Sequence, residues 1–118
     1  LNWIQGLSDH FNFEIGNINY IFCSDKYLLK INQQYLKHDT YTDIISFPYA
    51  EYPEAIEGDI FISIDRIREN ASLNNVSLEN ELLRVMAHGL LHFLGFKDKT
   101  EEQKAAMNEK ENECISLF

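Results

Sequence analysis

A small α+β domain is predicted for this chain of 118 residues. Three observations predict it. Segments rich in β-branched and aromatic residues occur at 18–23, 44–47 and 58–64, too short for helices of their own. Five other stretches carry apolar residues at helical spacing. The order reads helix, strand, helix, strand, strand, then three helices, which gathers the helices beside one small sheet.

Each element has its own warrant. Trp3, Ile4, Leu7 and Phe11 share a face and predict a helix over 3–11. Ile18 to Cys23 follows Gly16-Asn17 and reads as a strand. Ser24 is an N-cap residue, with Asp25 in the first turn behind it. Leu28, Ile31 and Tyr35 lie on one face, so this helix runs to Leu36. Lys37 to Asp43 is a polar loop. Ile44 to Phe47 is a short strand that Pro48 ends or confines to a sheet edge. Glu51, Glu54 and Glu57 with Pro53 read as an acidic loop over 50–57. Gly58 to Ile64 is the clearest strand, expected to pair antiparallel with the one before it. Asp65 to Asn74 reads as a helix with Ile67, Ala71 and Leu73 as its apolar positions. Ser77 caps the next helix, and Glu79 and Glu81 complement its positive end. Leu82, Val85, Met86, Leu90 and Phe93 give that helix a long apolar stripe, which makes it a core helix. Thr100-Glu101-Glu102-Gln103 is a capping box that opens a last helix through Met107 to Cys114. Tyr20, Phe22, Phe47 and Phe61 read as core residues on strands, and no stacking platform for RNA bases is evident. No repeat or internal boundary appears, so residues 1–118 are expected to form one domain. The chain starts at Leu1, which leaves room for native residues before it.

Composition narrows the function. The hydrophobic share is 45% and the charged share 25%, ordinary for a globular domain. No apolar run approaches the ~20 residues of a membrane-spanning helix. Formal net charge is −9, which opposes indiscriminate nucleic-acid binding. An RNA partner therefore needs a local basic patch or another protein's help. The two cysteines, Cys23 and Cys114, form no C-x-x-C motif and are expected to be free thiols of a cytoplasmic protein.

The chemistry concentrates in His88-Gly89-Leu90-Leu91-His92-Phe93-Leu94-Gly95-Phe96-Lys97-Asp98. Residues at i and i+4 of a helix share a face, with Cβ atoms roughly 5–6 Å apart. Two imidazoles there can converge on one cation at about 2.0–2.1 Å. Gly95 permits the left-handed conformation that ends a helix, and the turn can bring Asp98 to the same point. Three ligands with an open position make a catalytic type of metal site. The spacing is that of the zinc pattern H-E-x-x-H-x-x-G-x-x-H, with two departures. Gly89 stands where metalloproteases place their general-base Glu, and Asp98 stands where they place a third His. A lone helical histidine is usually an ordinary surface residue; the matched offsets of Gly95 and Asp98 separate this pair from that reading. With one carboxylate among the ligands, Mn²⁺ and Fe²⁺ become competitors of Zn²⁺.

Two ordered motifs carry a family resemblance. His88-Gly89-x-Leu91-His92-Phe93-x-Gly95-Phe96 resembles the H-G-x-L-H-L-x-G-Y-D-H signature of the YbeY family. Asn32-x-x-Tyr35 followed by Asp39-x-x-Thr42-Asp43-Ile44-Ile45-Ser46-Phe47-Pro48 resembles that family's N-x-x-Y-R-G-K-D-x-P-T-D-V-L-S-F-P. Gly58-Asp59-Ile60 resembles a third short element. The resemblance implies a mixed sheet, of four strands in the family, so three to four strands are expected here. It implies a metal-dependent single-strand endoribonuclease acting in ribosomal RNA maturation at the 3′ end of the small-subunit RNA, and a role in ribosome biogenesis. It places His88, His92 and Asp98 at the ligand positions for one divalent metal, Zn²⁺ first, with His88 also in the catalytic set. Leu36 stands where the family has an Arg, Lys37-His38 replace Gly-Lys, and Tyr41 replaces a Pro.

Lys37, His38, Lys97 and Lys99 flank this site and are expected to bind phosphate of single-stranded ribosomal RNA. Asp43, just before a strand, reads as a residue that bonds turn amides. Ser46 and Asp59 read as hydrogen-bonding supports. Two other readings stay open: a protease-like metal hydrolase, and a ribosome-assembly factor whose metal is mainly structural.

Overall fold

The computed structural model describes residues 2–36, 42–50 and 52–118. Among the described residues, three strands make one mixed sheet in the order β1-β3-β2. β1 (Ile15–Cys23) is parallel to β3 (Ile56–Ser63), and β2 (Ile44–Ala50) is antiparallel to it. The same residues give five α-helices beside the sheet: α1 (Asn2–Phe11), α2 (Asp25–Ile31), α3 (Ile64–Leu73), α4 (Leu78–Phe93) and α5 (Glu101–Ser116). α2 continues as a π-helical turn, Asn32–Leu36. The α+β class and the antiparallel pairing of β2 with β3 are as the sequence predicts.

The central strand is apolar on one face and mixed on the other, where Glu57 and Asp59 share the side of Phe61. Ile56, Ile60 and Ile62 are fully buried in the larger core with α1 and α4. Phe61 points the other way, against a smaller core of Leu28, Ile31 and Ile45. Several boundaries differ from expectation, and Ile64 opens α3 instead of closing the strand before it. β1 begins at Ile15 because Ile15 pairs with Ile56, and a register irregularity absorbs Gly16-Asn17. Residues 50–57 are only partly loop. Ala50 pairs with Glu57, and the Glu57 carboxylate accepts a hydrogen bond from the Asn17 amide at 3.3 Å. A strand glutamate on a solvated face looks like loop composition in the sequence. Pro48 sits inside β2, tolerated because β2 is an edge. Phe22 is exposed, not core, since β1 is the other edge among the described strands.

The helices start where the caps say. Ser24, Ser63, Ser77 and Thr100 each accept a hydrogen bond from a backbone N–H in the first turn that follows. At Thr100 the box is complete, with Gln103 Oε1 accepting from the Thr100 amide at 3.1 Å.

α4 is buried more completely than one stripe implies: Leu83, Val85, Ala87, Leu90, Leu91 and Phe93 are all buried. Gly89 lets it lie close against the sheet. A Cβ there would stand 2.8 Å from Ile44 Cδ1 and 3.1 Å from Ile60 Cγ2. α5 packs beside α4, and the Trp3 indole donates to the Cys114 carbonyl at 2.8 Å, tying α1 to the end of α5. Cys23 and Cys114 are free thiols.

Candidate metal centre

The end of α4 builds the site. Gly95 has φ +99°, the left-handed region a glycine enters without strain. The Phe96 amide donates to the Leu91 carbonyl and the Gly95 amide to the His92 carbonyl, both at 3.1 Å. These two bonds form a Schellman motif, which stops the helix and turns the chain back. Asp98 then returns to the face that carries His88 and His92.

Three donor atoms converge there. His88 Nε2 and His92 Nε2 are 3.1 Å apart. Asp98 Oδ2 lies 3.3 Å from His88 Nε2 and 3.7 Å from His92 Nε2. A tetrahedral ion with ligands at 2.0–2.2 Å has ligand–ligand edges of roughly 3.3–3.6 Å. The observed triangle is close to that size. His88, His92 and Asp98 are the group of metal-competent side chains found among the described residues, and they fit one metal ion.

A second carboxylate orients the cluster, and sequence reasoning missed it. Glu111 Oε2 is 2.6 Å from His88 Nδ1. A carboxylate can only accept, so Nδ1–H donates, and in neutral His88 this leaves the lone pair on Nε2, the nitrogen that faces His92 and Asp98. Glu111 is 7% exposed. Its other oxygen accepts from Arg84 Nη1 at 3.1 Å, and Arg84 is held in turn by Asn108 and Asn112. A usable signal is present in the sequence. Glu111 shares the buried face of α5 with Met107 and Cys114, an acidic residue where an apolar one is expected.

Electrostatics differ between the two histidines. Burial alone lowers the pKa of His88, but the hydrogen bond to Glu111 and the charges of Glu111, Asp98 and Asp43 outweigh it, so the net shift is upward. His92 is shifted down, first by burial and then by the His88 charge. Asp43 is shifted up, chiefly by burial, with His88 opposing.

A cleft of about 500 Å³ opens over the cluster, lined in part by Leu36, Asp43, Ser46, His88, His92 and Asp98. Asp43 is therefore at the site and not merely a turn residue, although its carbonyl does accept from the Ser63 amide at 3.0 Å. Leu36 places an apolar side chain at the cleft where the resembled motif has Arg. A second cleft of similar size shares His88 and Asp98 and is bordered by Glu101, Lys104 and Glu111. Lys97 and Lys99 are exposed on either side of Asp98 and line neither cleft. Lys37 and His38 lie outside the described residues. Asp59 is on the opposite face of the sheet, bonded to Asn19 and Tyr49.

Fold and site together define a small α+β protein with a zincin-like cluster: two histidines one helical turn apart and a carboxylate after the turn. The sequence pattern of the family Endoribonuclease YbeY matches residues 2–118, and the chain belongs to that family. It is 53% identical over 118 residues to an Endoribonuclease YbeY of Flavobacterium psychrophilum, covering all of this chain and 84% of the relative. An Endoribonuclease YbeY of Cytophaga hutchinsonii is 50% identical over 115 residues, 98% of this chain and 80% of the relative. The solution structure of TM1509 from Thermotoga maritima superposes with a TM-score of 0.68 at 30% identity, covering 98% of this chain and 78% of that one.

Proposed function

We propose that this protein is a metal-dependent single-strand endoribonuclease that matures the 3′ end of small-subunit ribosomal RNA. Residues 1–118 act as one domain, in the cytoplasm and in contact with the ribosome or its associated proteins. The observation that carries the reading is the convergence of His88, His92 and Asp98 in a chain that belongs to the Endoribonuclease YbeY family.

His88, His92 and Asp98 would hold one divalent cation, with Zn²⁺ favoured by two imidazoles and a single carboxylate. When bound, such a cation supplies a Lewis acid that polarises a phosphoryl oxygen and lowers the pKa of water. The residues of the chain supply the rest. Glu111 keeps the Nδ1 proton on His88, so that Nε2 is free to ligate, and this is the sense in which His88 belongs to the catalytic set. Arg84 fixes Glu111. Asp43 is a carboxyl beside the cleft with a raised pKa, suited to exchange a proton with a group in it. Leu36 and Phe93 give the cleft an apolar wall. Lys97 and Lys99, with Lys37 and His38, would bind phosphate on the approach, where the net charge of −9 otherwise repels RNA.

The protease-like reading loses its support. Gly89 carries no carboxylate, and any side chain there meets Ile44 and Ile60. One observation favours an assembly factor with a mainly structural metal: Leu36, an apolar residue at the cleft. A cleavage assay on precursor small-subunit RNA, with and without chelator, separates the two. Metal-dependent cuts within single-stranded RNA support the nuclease. Intact RNA together with chelator-induced unfolding supports the assembly factor.

A further inference from the structure

The face of the sheet away from the metal cluster carries a groove of about 390 Å³. Tyr27, Tyr35 and Tyr49 stand around it, and Phe47 and Phe61 contribute rings within it. Tyr35 is 63% exposed and Tyr49 69% exposed. The rings are ordered against one another: Phe47 meets Tyr35 edge-on at 6.0 Å between centroids and Phe61 at 5.8 Å. The groove also has polar handles. Tyr49 Oη donates to Asp59 Oδ2 at 2.6 Å, and Asn19 donates to the other oxygen at 3.1 Å. Lys30, exposed at the rim, makes no ion pair among the described residues.

Its position links it to the cluster. β2 is an edge strand, and its residues alternate between the two clefts. Ser46 and Pro48 border the metal cleft, whereas Phe47 and Tyr49 border the groove. Tyr35 and Leu36 divide in the same way at the end of the π-helical turn. A flexible chain crossing the β2 edge therefore contacts both.

We infer that this groove is a base-stacking subsite for single-stranded RNA whose backbone passes the metal cluster. The inference rests on the endoribonuclease reading and adds to it a place for a base beyond the reacting phosphate. Single-strand binders use aromatic faces for bases and a cation for the backbone, and the groove offers both. The Asp59 oxygens retain acceptor capacity for the N–H edge of a base. A protein partner fits less well. A stable interface takes about 20–30 residues a side, whereas this groove is lined by nine.

The test measures binding of a short labelled single-stranded RNA by anisotropy, in chelator so that it stays intact. Wild type is compared with Tyr35→Ala, Tyr49→Ala, Tyr49→Phe and Lys30→Glu, each checked for folding by circular dichroism. Tyr35→Ala and Tyr49→Ala are expected to bind roughly 5- to 150-fold more weakly, as one lost base stack implies. Tyr49→Phe, which keeps the ring, is expected to stay near wild type. Lys30→Glu is expected to weaken binding and reduce its salt dependence. If both Tyr→Ala variants bind RNA as wild type does, the groove is not a base subsite, while the nuclease reading stands. If wild-type protein neither binds nor cleaves RNA, both readings fail together. Loss of affinity in Tyr49→Phe equal to that in Tyr49→Ala would overturn stacking as the cause.

Discussion

Replacing Glu111 by Gln probes the metal centre without touching a ligand. In the native chain Glu111 Oε2 accepts from His88 Nδ1–H at 2.6 Å, while Oε1 accepts from Arg84 at 3.1 Å. A glutamine cannot satisfy both. With its oxygen towards His88, its NH₂ points at the Arg84 cation. With the amide flipped, NH₂ donates to Nδ1 and pushes the proton onto Nε2, the atom that must ligate. Either arrangement weakens the site. Loss of an outer partner of a ligating histidine typically costs 10–100-fold in metal affinity, or about 1.4–2.8 kcal/mol. The assay is calorimetric titration of Zn²⁺ into metal-free protein, with ¹⁵N spectra of the imidazoles to report the tautomer. Glu111→Gln should bind at least about tenfold more weakly and show a changed His88 tautomer. Affinity within twofold of wild type with an unchanged His88 spectrum would refute the role given to Glu111.

Gly89→Ala places a methyl group 2.8 Å from Ile44 Cδ1, and overpacking of this kind costs roughly 1–3 kcal/mol; equal denaturant midpoints for variant and wild type would show that α4 and the sheet can separate freely. Glu81 is 4% exposed, its Oε1 has no hydrogen-bond partner among the described residues, and its carboxyl is held above the ordinary 4.5, chiefly by burial. The folded chain thus binds more protons than the unfolded chain between those two values, so this group's contribution to stability falls as pH rises through the window. Glu81→Gln should raise stability at neutral pH by roughly 1 kcal/mol and flatten that slope; destabilisation at pH 7 would count against it. Asp98→Ala should lose metal affinity and Asp98→His retain it, read by metal titration of both metal-free variants. If Asp98→Ala binds as tightly as wild type, the third ligand lies elsewhere.

Local signals are legible in the sequence and long-range ones are not. The His88–His92 pair, the glycine stop and Asp98 lie within eleven consecutive residues, so helical spacing and one glycine turn bring them together. The capping residues are as direct, because a cap acts on the turn that follows it. Glu111 is harder, since its partner His88 sits on another helix, and only its place on the buried face of α5 distinguishes it. Asp43 reads as a turn residue because nothing local reveals that it lies beside His88 and His92 of α4. The parallel pairing of β1 with β3 is equally non-local. The aromatic groove joins Phe47 and Phe61 to Tyr35 from a helix end and Tyr49 from an edge strand, and no local pattern shows that these rings meet.

The central claim is that His88, His92 and Asp98 hold one cation on which RNA cleavage depends. Its most direct test follows cleavage of single-stranded RNA while metal is titrated into rigorously purified, metal-free protein. Activity should be absent at the start, rise in proportion to added metal and level off at one equivalent per chain. His88→Ala/His92→Ala protein should show no rise. Full cleavage by metal-free wild type, or the same titration curve from the double variant, would contradict the claim.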